Sequence, residues 1–371
     1  MIVSQQDLGA QYQQLRSEID AAVQRVLASG IFVDGAENEA LEHELADYIG
    51  VAEVICVNSG TDALLLSLKA LGIGAGDEVI VPSFTFFATA EAVALAGAQP
   101  RFADCSSRHY NVDTDSVRRA LTRQTKAIIA VHLFGQPVDL APLQVFCESH
   151  GLWLIEDAAQ AIGARYRDRG IGSFGTTGAF SFYPTKNLGA CGDGGAISCN
   201  DPALASRLRR LRNHGRQSRY QHGEIGYNSR LDEIQAAILR VKLSYLDAWN
   251  AQRRQLAAYY REALSNTTCG WPMPIEDSVP VHHQLAVTHS QRNALQVFLA
   301  EHDIATAVFY SIPCHLQPAF SVSHAGLSLP LAERLADQVL ALPIYPTLPV
   351  ETVTHVAELI QIFEQQNTAQ P

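Results

Sequence analysis

Lys186 lies in Ser181-Phe182-Tyr183-Pro184-Thr185-Lys186-Asn187-Leu188-Gly189-Ala190-Cys191-Gly192-Asp193-Gly194-Gly195, a loop of aromatic and glycine residues after a short apolar run. Lysine is rare in such a place unless its amine is neutral or covalently occupied, because burying an ammonium ion is costly. A desolvated amine attacks carbonyl carbons and then shuttles protons, which is Schiff-base chemistry. Upstream, Asp157 ends an apolar run in Ile155-Glu156-Asp157-Ala158-Ala159-Gln160. An acid there needs a cationic or donor partner, and a protonated pyridine nitrogen would be one. An ordinary buried N-cap aspartate is the other reading of that position. Further upstream, Asn58-Ser59-Gly60-Thr61-Asp62-Ala63-Leu64 is a small polar turn opening a helix. Free N–H groups and the helix dipole suit such a turn to a phosphate, although a plain N-cap would look the same. Pro82-Ser83-Phe84-Thr85-Phe86-Phe87 offers an aromatic face, with core packing the alternative for Phe84 and Phe87. Taken together, the helix anion site, the strand-end acid and the loop lysine are the parts of a pyridoxal 5'-phosphate site, with Lys186 and Asp157 as its catalytic residues.

Other cofactor chemistries fit poorly. Gly72-Ile73-Gly74-Ala75-Gly76 follows a helix and precedes a strand, the reverse of a dinucleotide fingerprint, so it reads as a helix stop. No P-loop run occurs, and the seven cysteines form no CxxC, so no metal site is expected. They read as small hydrophobes in a reducing cytoplasm. Only four of the 27 basic residues are lysines, and the other three look structural: Lys69 and Lys242 lie in helical segments and Lys126 heads a strand. Lys+Arg 27 against Asp+Glu 38 gives a formal net charge of −11, which argues against nucleic acid as a general partner. No stretch approaches the roughly 18 uninterrupted apolar residues of a membrane span, and the start lacks the basic head and apolar run of a secretory signal.

These residues need a scaffold that brings strand ends together. A chain of 371 residues suggests two or three domains at about 150 residues each. Its charged share of 18% is low enough to allow a large buried surface. Candidate strands are Val54–Val57, Glu78–Val81, Pro100–Ala103, Ala127–Leu133, Trp153–Glu156, Ala179–Phe182 and Ala196–Ser198. Helical patterns such as Asp62–Leu71, Thr89–Ala96 and Ala141–His150 alternate with them, which implies an α/β fold with a mostly parallel sheet covered on both faces. Ligands then bind at the carboxyl ends of the strands, where each motif above begins. Arg207–Arg212 and Leu231–Leu264 read as helical, and the proline-rich Cys269–Pro280 as a linker or domain edge. The expected division is a large domain over 1–250 and a smaller C-terminal α+β domain over 251–371.

On NSGTDAL, PSFTFFAT, EDAAQ, SFYPTKNLGACGDGGA and Gly226-Tyr227-Asn228-Ser229-Arg230-Leu231-Asp232-Glu233-Ile234-Gln235-Ala236-Ala237, the sequence resembles the DegT/DnrJ/StrS-type sugar aminotransferases over essentially its whole length. The resemblance implies a fold-type-I pyridoxal-phosphate enzyme with a seven-stranded sheet. It implies a cytoplasmic homodimer with shared active sites, moving the amino group of L-glutamate onto a keto sugar carried on dTDP or UDP. By position, Lys186 would be the Schiff-base residue and Asp157 the pyridinium partner. Gln160 would meet the ring's phenolic oxygen and Phe86 would stack on the ring. Gly60, Thr61 and Ser181 would hold the phosphate, with Asn228 reaching in from the partner subunit. Tyr183, Tyr310 and His315 correspond to places where the sugar nucleotide lies. The LGA-x-GDGGA run resembles the members that act on a three-keto hexose.

Three alternatives remain. One is the same transfer on a four-keto-6-deoxy sugar, whose enzymes commonly carry a GEGG-like run after the lysine. A second is a sugar dehydratase, although that resemblance typically has histidine in place of Lys186. A third is a non-catalytic regulator of the same fold, which would not need an intact Asp157, Gln160 and Lys186. Phe86, where tyrosine or tryptophan is frequent, and the histidines of Val281-His282-His283-Gln284-Leu285 depart from the family pattern. The six arginines between Ser206 and Tyr220 could serve a diphosphate or form a solvated helix face.

Overall fold

The computed structural model describes residues 2–321 and 323–368; the ends of the two expected domains, Met1 and residues 369–371, lie outside them. The main sheet is built of β1 (Glu53–Val57), β2 (Glu78–Pro82), β3 (Gln99–Ala103), β4 (Thr125–Val131), β5 (Trp153–Asp157), β6 (Thr177–Ser181) and β7 (Gly195–Cys199). Their spatial order is β1-β7-β6-β5-β4-β2-β3. Pairs among β3, β2, β4, β5 and β6 are parallel, and β7 runs antiparallel to both its neighbours. All seven expected strands are present, with ends displaced by no more than two residues.

Strand side chains alternate between two apolar layers. Ile55, Val57, Val79, Val81, Ile129, Ile155 and Ile197 pack on one face. Val54, Cys56, Ile80, Ile128, Leu154, Phe180 and Ala196 pack on the other. A sheet buried on both faces explains why these strands read as near-continuous apolar runs. Helices α1 (Leu8–Ser29) and α2 (Ala36–Ile49) precede the sheet, and α3 (Gly60–Ala70), α4 (Ala88–Leu95), α5 (Thr114–Ala120) and α6 (Leu140–His150) connect its strands. They are followed by α7 (Pro202–Leu211), α8 (Glu233–Leu243) and α9 (Leu246–Ala263). The single helix expected over Leu231–Leu264 is therefore two. No glycine or proline marks the break; Trp249 stacks on Tyr245 there, with ring centroids 6.0 Å apart.

The last third of the chain builds a separate core around β8 (Leu285–Thr288), antiparallel to β9 (Val339–Leu342). Leu256 and Tyr260 of α9 join Leu295 of α10 (Arg292–Glu301) and Val356 and Phe363 of α12 (Val350–Thr368) in it. Between β8 and β9 the chain also forms α11 (Pro330–Gln338). Position 250 falls inside α9.

Four of the six clustered arginines are absorbed by ion pairs. Arg207 and Arg210 meet Glu224 at 3.3 and 3.4 Å. Arg209 bridges Glu42 at 3.2 Å and Glu53 at 3.0 Å, and Arg212 also binds Glu42. Arg209 and Arg212 thereby tie the end of α7 to α2 and β1, which is a structural use of these two arginines.

Candidate active site

The carboxyl ends of β1, β2, β4, β5 and β6 meet at one edge, and the antiparallel β7 begins there. They enclose a cavity of about 430 Å³ lined by Gly60, Thr61, Phe86, Asp157, Gln160, Ser181, Tyr183, Lys186 and Tyr310, together with Thr85, Asp193 and His283. A second cleft of about 280 Å³, between α9 and the turn after β4, contains none of the expected site residues.

Each position has a local cause. Ser59 caps α3 in an extended conformation, its Oγ accepting from the N–H of Asp62 at 3.1 Å. The N–H groups of Gly60 and Thr61 stand in the first turn, where a helix offers no internal acceptor. Gly60 leaves room for β6: a Cβ there would lie 2.8 Å from the Cβ of Ser181. The lysine loop is held by its own backbone. The N–H groups of Phe182, Ala190 and Lys186 donate to the carbonyls of Gly194, Phe182 and Tyr183, each at 2.8 Å. Lys242 fastens the loop from α8, its Nζ donating to the Gly189 carbonyl at 2.7 Å.

Asp157 and Glu156 are adjacent buried acids in different situations. Glu156 points away from the cavity and is saturated. Its Oε1 accepts from the N–H groups of Phe174 and Gly175, both at 2.7 Å, and its Oε2 from Gly172 N–H at 2.9 Å and His132 Nε2 at 3.1 Å. Burial opposes this charge, but the His132 bond and those N–H groups hold the carboxyl below its usual value. Among the described residues, the Asp157 carboxylate receives only Thr89 Oγ1 at 2.8 Å and the Ala159 N–H at 3.2 Å. Burial therefore raises its carboxyl despite the opposing help of Thr89, Ala159 and Lys186. Lys186 shows the complementary strain: desolvation pushes its ammonium down to about 8, with Asp157 pulling the other way. Its Nζ makes no hydrogen bond or ion pair among the described residues.

This donor set fits pyridoxal phosphate. The cavity offers an anion cradle at Gly60, Thr61 and Ser181, and an acid with no cationic partner in contact among the described residues. It also offers a lysine amine whose ammonium form burial disfavours and an open ring face on Phe86, which is 55% exposed. Gln160 is poised but engaged: its Oε1 accepts from Phe134 N–H at 2.7 Å and its Nε2 donates to Tyr310 Oη at 3.0 Å. Tyr183 stands exposed at the mouth, and Tyr310 lies 5.7 Å from Phe86 between ring centroids.

Two expected residues are not in the cavity. His315 is buried elsewhere with both ring nitrogens taken, Nδ1 by Ser83 Oγ at 2.6 Å and Nε2 by Glu333 at 3.3 Å. Ser83, His315 and Glu333 thus line up as a hydrolase triad would, but Ser83 has no exposed surface and the set is structural. Asn228 is exposed and outside the cavity, while its neighbour Ser229 is buried under α3 and donates to Asp62 at 2.6 Å. Conversely, Thr85 and Thr89 were not singled out as site residues by sequence reasoning, and His283 only as one of two histidines that depart from the family pattern. The available signals were a threonine pair four residues apart in an apolar segment, and a histidine pair beside a strand.

Comparison with known proteins agrees with this geometry. Residues 13–361 match the DegT/DnrJ/EryC1/StrS aminotransferase family. The chain is 46% identical over 362 residues to the dTDP-3-amino-3,4,6-trideoxy-alpha-D-glucose transaminase of Streptomyces venezuelae, covering 97% of this chain and 96% of the relative. It is 45% identical over 367 residues to a pleiotropic regulatory protein of Geobacillus stearothermophilus, covering 98% and 99% of the two chains. The X-ray structure of S. venezuelae DesV superposes with a TM-score of 0.95 at 46% identity, over 98% of each chain. The protein belongs to the DegT/DnrJ/EryC1/StrS aminotransferase family.

Proposed function

We propose that the protein is a cytoplasmic homodimeric aminotransferase that moves the amino group of L-glutamate onto the three-keto carbon of a hexose carried on dTDP or UDP, with pyridoxal phosphate as resident cofactor. The observation that carries this reading is the gathering of Lys186, Asp157 and the α3 N-terminus around one cavity. Likeness to the S. venezuelae transaminase over nearly the full chain supports the sugar and the three-amino position. Seven unpaired cysteines accord with a reducing compartment.

When bound, pyridoxal phosphate supplies a carbonyl for amine exchange and a ring that spreads the negative charge left at a deprotonated carbon. The N–H groups of Gly60 and Thr61, with the Ser181 hydroxyl, bind the phosphate at the positive end of α3. Asp157 stays anionic and holds the ring nitrogen's proton, its carboxylate aimed by Thr89 and Ala159. Phe86 would pack against the ring, and Gln160 would hold its phenolic oxygen. Lys186 holds and moves the proton at the reacting carbon. With its ammonium lowered to about 8, about a tenth is neutral at pH 7, far more than for an ordinary lysine.

Tyr183 and Tyr310 at the mouth contact the sugar nucleotide. Asn228, outside its own chain's cavity, completes the phosphate pocket of the partner subunit. Exposed apolar side chains at Ile31, Phe32 and Val33, and at Tyr220 and Ile225, supply surface for that partner. Residues 1–250 carry the cofactor and residues 251–371 form the smaller domain. A coupled assay following glutamate consumption, run against three-keto and four-keto dTDP- and UDP-hexoses, tests this reading. Turnover confined to three-keto sugars is expected; turnover of four-keto sugars alone would overturn the position, and no turnover by a cofactor-loaded dimer would overturn the activity.

A further inference from the structure

The phosphate cradle contains an acid that works against it. Asp62 stands in the first turn of α3 with Gly60 and Thr61, three residues after the Ser59 cap. An acidic side chain at that place can fold back onto the N–H groups of the helix start, the same groups that would receive the phosphate. Two negative charges at one helix start repel each other. Yet Ser59, Gly60, Thr61 and Leu64 line the cavity, and Asp62 does not.

Ser229 accounts for the difference. Its side chain is fully buried, and its Oγ donates to Asp62 Oδ2 at 2.6 Å while accepting from the Asn58 N–H at 3.2 Å. The direction is fixed: a backbone N–H only donates, so the single hydroxyl hydrogen is left for the carboxylate. One hydroxyl thus grips the turn on both sides of Gly60 and Thr61, at Asn58 before them and at Asp62 after. Ser59 takes the backbone N–H of Asp62 at 3.1 Å, and Ser229 takes its side chain. Ser229 is itself anchored on α7 rather than on α3. Its N–H donates to the Arg212 carbonyl at 2.9 Å, and the N–H of nearby Tyr227 to the Leu211 carbonyl at 2.7 Å.

We infer that Ser229 is a positioning residue for the phosphate cradle: it holds the Asp62 carboxylate out of the cavity and leaves the Gly60 and Thr61 N–H groups to an incoming phosphate. The acid keeps its favourable place at the positive end of α3 without occupying the anion's seat. Neighbouring residues of one motif then face opposite ways, Asn228 exposed and Ser229 closed on its own chain's cradle. The inference rests on the proposed function only in placing the cofactor's phosphate at Gly60, Thr61 and Ser181.

Absorbance titrations of the full chain stripped of cofactor, with pyridoxal phosphate and with pyridoxal, separate a charge effect from general loosening, because only the first ligand carries a phosphate. Ser229→Ala frees the Asp62 carboxylate to compete for the helix start. It should bind pyridoxal phosphate about tenfold more weakly than the parent, and pyridoxal within about twofold. Adding Asp62→Asn removes the competing charge and should bring pyridoxal phosphate binding back to within about threefold of the parent. Three results overturn the inference: unchanged pyridoxal phosphate affinity in Ser229→Ala, equal weakening of both ligands, or a double variant no better than the single. The titrations need neither glutamate nor sugar, so an absence of turnover would overturn the proposed function alone. A parent with no preference for pyridoxal phosphate over pyridoxal would overturn the placement of the phosphate, and this inference with it.

Discussion

Thr89→Val removes one hydroxyl and little volume, and tests how Asp157 is kept ionised. Thr89 Oγ1 donates to Asp157 Oδ2 at 2.8 Å and is the largest influence opposing the burial that raises this carboxyl. A hydrogen bond to a charged group contributes about 1.5–3 kcal/mol, and 1.4 kcal/mol is tenfold in a binding constant. Without it the carboxyl rises further, so protonation reaches higher pH. Because the ring nitrogen needs the anion, cofactor affinity should fall as pH drops through the raised value, and should begin falling earlier in the variant. On that acid limb Thr89→Val should bind pyridoxal phosphate about 10- to 100-fold more weakly than the parent. On the alkaline limb, where Asp157 is ionised in both, the curves should converge. Absorbance titration of the stripped protein with cofactor across pH 5 to 9 measures this. Superimposable pH profiles, or a loss equal at every pH, would refute the idea that Thr89 acts through the charge of Asp157.

Gly60→Ala puts a Cβ 2.8 Å from that of Ser181 and should weaken cofactor binding at least about tenfold; adding Ser181→Gly should recover part of it, and no recovery in the double variant's titration would locate the strain elsewhere. Glu156→Gln points an amide NH2 at groups that are all donors, and should cost about 3–5 kcal/mol of stability by denaturant unfolding at pH 7. The folded carboxyl is lowered, so its contribution is present above the unfolded value and lost as pH falls through the folded one; the gap between the two proteins should narrow as pH falls below the ordinary carboxylate range. Mixing Lys186→Ala with Asn228→Asp chains under subunit exchange should restore about a quarter of the parent activity, since half the dimers are mixed and half of their sites intact. No recovery despite exchange would place Asn228 outside the partner's site.

The sequence was most legible where burial and chemistry leave opposite signatures. The seven strands stand out because both faces of the sheet are apolar, and Lys186 and Asp157 because charge is expensive where those strands end. His315 shows where letters run out, because a histidine satisfied by Ser83 and Glu333 outside the cavity has the same letter as one facing a ligand. The arginine run misleads for a related reason: two of its partners, Glu42 and Glu53, are distant in sequence, and ion pairing leaves no local pattern. Thr89 acts through a hydrogen bond whose geometry no spacing rule encodes. The break at Ser244 and Tyr245 lacks a glycine or proline, so tertiary packing alone ends α8.

Glu156 and Asp157 make the pleat of β5 an information-bearing feature. Two chemically equivalent carboxylates are assigned opposite tasks by nothing but the parity of their position: one knits backbone at 172–175 to His132, the other waits in the cavity. A register slip of a single residue would exchange them, delivering a needless charge to the core and an over-satisfied acid to the ligand. Insertions or deletions within β5 should therefore be far less tolerated than substitutions.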